Sequence, residues 1–352
     1  MLGSSAAVRY GYSTARVKVM ESRLIDAKTM NELISAKEVG AVITKLLQTD
    51  YRGDLETFGG VNIRRRHVDF ALSGNMARSL GKLIRIAPVG ERKIMRSILG
   101  KYALYNIKLA IEAKDKKKNY EDIEEFVVDF GQYGKAAIRD AMREDSVEGI
   151  ISRLEINSPY RSILHQAVES YKKTHYADDA LFAIDKGYYA TLSKAILALR
   201  RINSESARII KKDIDSVNLM LLIRAKRLGI KFNAVENSLI ENGSTNIQQL
   251  MQLYNGTSDV ESFVSEIKEF DMKRSLVQYR KNRHLIAFEI AMKNRVLQEG
   301  MKLLKHSMLS FGTLLAYVYM KEIEVYALRI AINSKAYGLS QEELSELMTW
   351  KQ

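Results

Sequence analysis

The side chains of this chain best suited to chemistry are sparse, and their spacing argues against a reaction centre. Its five histidines, His67, His165, His175, His284 and His306, never fall at the i, i+4 spacing that sets two metal ligands on one helical face. Asp178 and Asp179 stand side by side, but the next aspartate is Asp185, so the DDxxD spacing that holds magnesium on a helix is missing. The pair reads instead as a helix start, where carboxylates favour the helix dipole. Gly53, Gly59 and Gly60 lack the following Lys-Ser/Thr that a phosphate cradle needs. With no cysteine there is no disulfide framework and no thiolate chemistry. No residue is therefore assigned as catalytic, cofactor-binding or metal-ligating, and the isolated chain is expected not to hydrolyse nucleotides.

The sharpest charged runs are Arg64-Arg65-Arg66 and Lys116-Lys117-Lys118. Nucleic-acid contacts would want flanking aromatics for stacking or a helix suited to a groove, and neither accompanies these runs. They read as a solvated face or a protein contact, and Arg64, Arg65 and Arg66 are the candidate partner interface. Residues 1–118 hold 23 Lys and Arg against 11 Asp and Glu, a net of +12, so nearly all of the chain's +13 lies in its first third. A basic region beside balanced ones suggests one face meeting an anionic partner.

The elements that would carry these residues are helices. Two prolines in 352 residues, with abundant Leu, Ile, Ala, Lys, Arg and Glu, leave long stretches free of breakers. The longest apolar stretch, Met308 to Met320, is interrupted by Ser310, Gly312 and Thr313 and is shorter than the roughly 18 to 20 residues a bilayer demands. The first residues lack the basic and apolar regions of a secretory signal.

One motif closes a long apolar helical run three times. Asn106-Ile107-Lys108-Leu109-Ala110-Ile111-Glu112-Ala113-Lys114 is followed by Asn218 to Lys226 and by Ala327 to Lys335, the terminal lysines lying 112 and 109 residues apart. A period this long is a helical domain rather than a solenoid unit. The pattern predicts an all-α protein of three similar helical bundles, 1–118, 119–232 and 233–352.

Within that frame a first helix is expected from about Ser5 to Ala27. Shorter helices ending near Tyr51, Tyr160 and Tyr254 should open the repeats. Long helices with Asp69, Asp185 and Asp271 near their starts should follow, the third region holding longer helices. Gly229 and Gly338, each three residues past a motif lysine, are expected left-handed caps, whereas the first copy has Lys117 there and lacks one. Ser340-Gln341-Glu342-Glu343 is a capping box that starts a terminal helix.

Three segments resemble a known family: Tyr10-Gly11-Tyr12-Ser13-Thr14-Ala15-Arg16-Val17-Lys18, Asp215 through Gly229, and Lys321 through Leu339. Together they are similar to the C subunit of the archaeal-type (A-type/V-type) ATP synthase, the family that includes the d subunit of the vacuolar ATPase. Ala327-Leu328-Arg329 departs from the usual Asn-Leu-Arg of the third copy. The resemblance implies a funnel of three similar helical domains about a pseudo-threefold axis, peripheral to the membrane on its cytoplasmic face. It implies a non-catalytic rotor part without cofactor, nucleic acid or small-molecule substrate, joining the central stalk to the proteolipid ring and transmitting torque for ATP-linked ion translocation. The competing reading is a basic all-helical adaptor or nucleic-acid-binding protein.

Overall fold

The scarcity of proline and the three- and four-residue recurrence of apolar side chains produce helices throughout: among the described residues there is no β-strand. The computed structural model describes residues 2–59, 63–306 and 308–337, with the side chains of 2–5, 66, 304–306 and 333–337 outside that description. In chain order the helices are α1 (Leu2–Glu21), α2 (Ala27–Ser35), α3 (Val39–Leu46), α4 (Arg52–Glu56), α5 (Arg65–Ile86), α6 (Arg92–Asp115), α7 (Tyr120–Ile123), α8 (Lys135–Ala141) and α9 (Val147–Glu155). There follow α10 (Arg161–Thr174), α11 (Ala177–Ile202), α12 (Ser204–Arg227), α13 (Phe232–Val235), α14 (Ile247–Asn255), α15 (Val260–Ser265), α16 (Lys273–Asn282), α17 (Ile286–His306) and α18 (Phe311–Tyr337). Pro88 forces Ala87 into extended backbone and so ends α5. Asp26, Ser146, Asn203, Asn246 and Asp259 each cap a helix by accepting a backbone N–H three residues on.

The chain forms two compact units. The first runs to Leu192 and takes in α18 from Lys321 onward. In it α1 and α4 pack on α5, α5 on α6, and α6 and α10 on α9. The second is Ser193–Met320, where α12 packs on α13, α15 and α17, and α16 lies on α17.

The repeated motif has a physical role that recurs with the same register. Asn106 is fully buried on α6; its amide donates to the carbonyls of Val128 at 2.5 Å and Tyr133 at 2.7 Å and accepts the Val128 N–H at 3.0 Å. Asn218 on α12 does the same to Ile240, donating to its carbonyl and accepting its N–H, both at 2.8 Å. Each asparagine thus holds backbone 22 residues downstream, in an irregular segment that has no ladder of its own. The motif lysines reach 28 residues downstream, Lys114 to the Met142 carbonyl at 3.3 Å and Lys226 to that of Tyr254 at 2.5 Å. Those carbonyls end α8 and α14, so the ammonium meets the negative end of each helix.

Several expectations change against these facts. The first helix ends at Glu21, because Asp26 accepts the Thr29 N–H at 2.7 Å and starts α2 separately. By the lysine register, the helix ending near Tyr254 is the counterpart of α8, and α15 is the counterpart of α9. The residues around Asp271 open the short α16, which stops at a left-handed Arg283 (φ 58°) before α17 begins, as α10 stops at a left-handed His175 (φ 59°) before α11; the greater helix length of the third region lies in α18, 27 residues against 24 in α6 and in α12. Gly229 is left-handed as expected (φ 68°), with Ile230 N–H donating to Ala225 O at 2.9 Å. Lys117 makes the same turn (φ 55°), with Lys118 N–H donating to Ala113 O at 2.8 Å, so the first copy has the cap in geometry without the glycine. Gly338 and the Ser340–Glu343 capping box lie outside the described residues.

Candidate functional site

Arg64 stands at the N-cap of α5, exposed, with its backbone N–H donating to His67 Nδ1 at 3.1 Å. Arg65 begins the helix half-buried and faces Asp69 one turn on. Burial raises the Asp69 carboxyl above the ordinary carboxylate range, while Arg329 and Arg65 pull it back. Arg66 lies in the same first turn, its side chain outside the described set. Arg64 and Arg65 thus share one helix start but not one environment.

Some of the positive charge of the first unit is anchored on buried acids. Arg9 reaches Glu91, which is wholly buried and also accepts the Tyr10 hydroxyl, at 2.5 Å each. Arg78 holds Asp54 at 2.5 Å, and Asn75 donates to the same carboxylate at 3.1 Å. Such pairs fix the angle at which α1 and α4 meet the α5–α6 pair.

The polar centre of the first unit is the closure of α18 onto α1–α6. Lys321 and Glu324 are 2% and 4% exposed. The Lys321 ammonium donates to Glu324 Oε1 at 2.6 Å and to the Tyr51 hydroxyl at 3.0 Å, and that hydroxyl donates to the same carboxylate oxygen at 2.6 Å. Glu324 Oε2 accepts the backbone N–H of Ile25 at 2.5 Å, a contact between residues 299 positions apart. On the neighbouring face Glu322 accepts the Tyr102 hydroxyl and pairs with Lys101 at 2.7 Å; burial, then Glu322, pushes the Tyr102 phenol well above its ordinary value. Two turns on, Arg329 donates to Ser73 at 2.7 Å and lies 3.7 Å from Asp69. The α18 segment from Lys321 to Arg329 is therefore tied to the residue 25–102 region by hydrogen bonds from Ile25 and Tyr51 to the buried Glu324 and by more exposed ion pairs to Lys101 and Asp69.

In the sequence, Lys321, Glu322 and Glu324 stand out only as part of a segment similar to a known family, and this role is missed. The one available signal is charge on a helix that is otherwise apolar on every side: burial of most of α18 leaves its charged residues nowhere to go but into pairs.

In the second unit a cavity of about 290 Å³ lies between α12 and α17, lined in part by Glu205, Arg208, Arg295, Glu299 and Lys302. Glu299 is the hub. Burial alone would raise its carboxyl, but the Lys212 hydrogen bond at 2.6 Å and the pull of Lys212, Arg208 and Arg295 bring it below the ordinary value. Glu299 Oε2 has no hydrogen bond and lies 3.5 Å from the Arg208 guanidinium, so the cluster is held by charge and offers no nucleophile beside a base. No metal-binding group of histidine and carboxylate ligands occurs among the described residues, and no helix there is long and apolar enough to cross a membrane. Asp178 and Asp179 lie in the first turn of α11, as their sequence context implies, and Asp185 pairs with Lys108 at 2.8 Å.

Helices in extensive mutual contact, with charged side chains paired where they meet, define an all-α multi-helix protein. The family described as ATP synthase (C/AC39) subunit matches residues 13–347, and the chain belongs to that family. It is similar to the C subunit of the A-type ATP synthase of Thermoplasma volcanium, 24% identical over 95% of this chain and 96% of that one. The C subunit of the Thermoplasma acidophilum A-type ATP synthase is 23% identical over 96% and 97% of the two chains, and that of Methanocaldococcus jannaschii 23% over 96% and 86%. A member of this family is a non-catalytic coupling part of a rotary A/V-type ATPase.

Proposed function

We propose that this chain joins the central stalk of the rotor to the membrane proteolipid ring and carries torque between them during ATP-linked ion translocation. The observation that carries the reading is the family match across nearly the whole chain. Its modules are residues 1–118, 119–232 and 233–352, set about a pseudo-threefold axis as a funnel, peripheral to the membrane on its cytoplasmic face. The recurrence of the asparagine and lysine contacts at 22 and 28 residues in the first two copies supports the modular part there. Dense helix packing and the ion-paired closure of α18 suit a part that must not yield under load. Grip on both partners comes from shape and charge, and Arg64, Arg65 and Arg66 contribute to one of these interfaces.

The test is purification from gently solubilised membranes through a tag on this chain. Stalk and ring subunits should come with it. Membranes stripped of the chain should lose ATP-driven ion transport while the head still hydrolyses ATP, and the isolated chain should hydrolyse none. Salt-dependent binding to DNA or RNA, without stalk or ring subunits, would overturn the reading in favour of a nucleic-acid-binding adaptor.

A further inference from the structure

Helix α1 presents small or apolar residues on two opposite sides, and among the described residues only one of them is covered. Tyr10, Ser13, Thr14 and Val17, spaced i, i+3, i+4 and i+7, are buried, with the Ser13 hydroxyl donating to the Ile86 carbonyl at 2.6 Å. Val8, Tyr12, Ala15 and Val19 lie on the other side, and all four are exposed, Val8 at 87%, Tyr12 at 67% and Val19 at 51%. Their steps of four, three and four are those of the a and d positions of a heptad. At 100° per residue they fall within an arc of about 60°, centred opposite the buried side.

The flanks of this seam are basic. Arg9 and Arg16 occupy the e positions and Lys18 a g position, and all three are exposed. Arg9 also reaches Glu91 and Lys18 reaches Glu21, but each side chain stays about half open to solvent, and Arg16 has no ion-pair partner among the described residues. Glu21, the last residue of α1, is its one acid.

The geometry points to α1 as one strand of an intermolecular helix pair, whose partner is a helix of another polypeptide with an apolar a/d seam and acidic e/g flanks. The inference rests on the coupling reading for the existence of a permanently held partner, and it adds which surface is held and by what chemistry. A second copy of this chain is disfavoured because Arg9, Arg16 and Lys18 would meet their own kind. A lipid surface is disfavoured because an interfacial helix presents a broad apolar face, and this one is a narrow seam. Four side chains cover far less than the roughly 1,000 Å² of a stable interface. The seam is therefore one part of a larger contact, best tested by proximity.

Benzoylphenylalanine placed at Tyr12, and separately at Val8, in the full chain within membranes carrying the assembled complex, is photolysed and the products are sequenced by mass spectrometry. Both positions should cross-link to a segment whose apolar residues recur at three and four with Asp or Glu flanking them. Arg16→Glu should lower the yield about fivefold and Arg16→Lys should leave it near the parent, with the helical signal unchanged. Cross-links only to lipid, to a second copy, to a segment without the acidic heptad, or to nothing overturn the seam. If stalk and ring subunits still co-purify in that case, the coupling reading stands without it; if the heptad cross-links form but those subunits are absent, the coupling reading fails and the seam stands.

Discussion

At the scale of single residues the protein relies on polar side chains that hold backbone rather than substrate. Asn106→Ala would leave the Val128 N–H and the Tyr133 carbonyl without these partners, while the Val128 carbonyl keeps the Phe130 N–H at 2.7 Å, so stability should fall by about 2–3 kcal/mol, seen as a lower denaturant midpoint at unchanged slope. The left-handed caps make a matched pair of tests. Gly229→Ala should cost about 1 kcal/mol, since φ 68° suits only glycine without strain, whereas Lys117→Gly should gain about 1 kcal/mol by relieving the same strain. No change on Lys117→Gly would mean that its ammonium already offsets the backbone cost. The motif that repeats was legible because Asn and Lys recur in register. What it does was not, because its partners are main-chain atoms in irregular segments that carry no side-chain pattern. Nor did anything in the sequence mark Lys117 as left-handed, since the glycine signal is absent there.

Among the helices, the closing helix α18 matters most. Glu324→Ala leaves the Lys321 ammonium buried beside a lone phenol and frees the Ile25 N–H, so a loss of about 3–5 kcal/mol is expected. Lys321→Met with Glu324→Met should cost less than the sum of the two single changes, because no uncompensated charge remains; strict additivity in a double-mutant cycle would show that the two residues do not act as a pair. The α12–α17 contact gives a pH test. The Glu299 carboxyl sits below its ordinary 4.5, so its ionised form stabilises the fold above that value, and the contribution is lost as pH falls through the lower folded value. Glu299→Gln should start less stable at pH 7 and show a shallower further loss on acidification below about pH 5. Helix existence was read well from periodicity; helix ends were read less well. The break at Arg283 is invisible because a left-handed arginine looks like any arginine, and the Asp26 cap was hidden inside a run of suitable helix spacing.

On the scale of the whole molecule, the charge of the first third asks for a partner. Buried acids such as Glu91 and Asp54 absorb part of it, yet Arg64 at the start of α5 stays exposed. Arg65 differs, being half-buried against Asp69, so reversing it would set two carboxylates together and damage the fold whatever the partner. The informative variant is therefore Arg64→Glu with Arg66→Glu, leaving Arg65 in place. If these cations face an acidic stalk or the anionic rim of the ring, the assembled rotor should dissociate faster, on the order of tenfold, and lose subunits at lower salt than the parent. Helicity and melting temperature of the isolated chain should match the parent within experimental scatter, since an exposed charge such as that of Arg64 contributes little to folding. A rotor that assembles, holds and pumps as the parent does from low to high salt would place the arginines on a solvated helix start and move the search for the charged interface to the other cations of the first third.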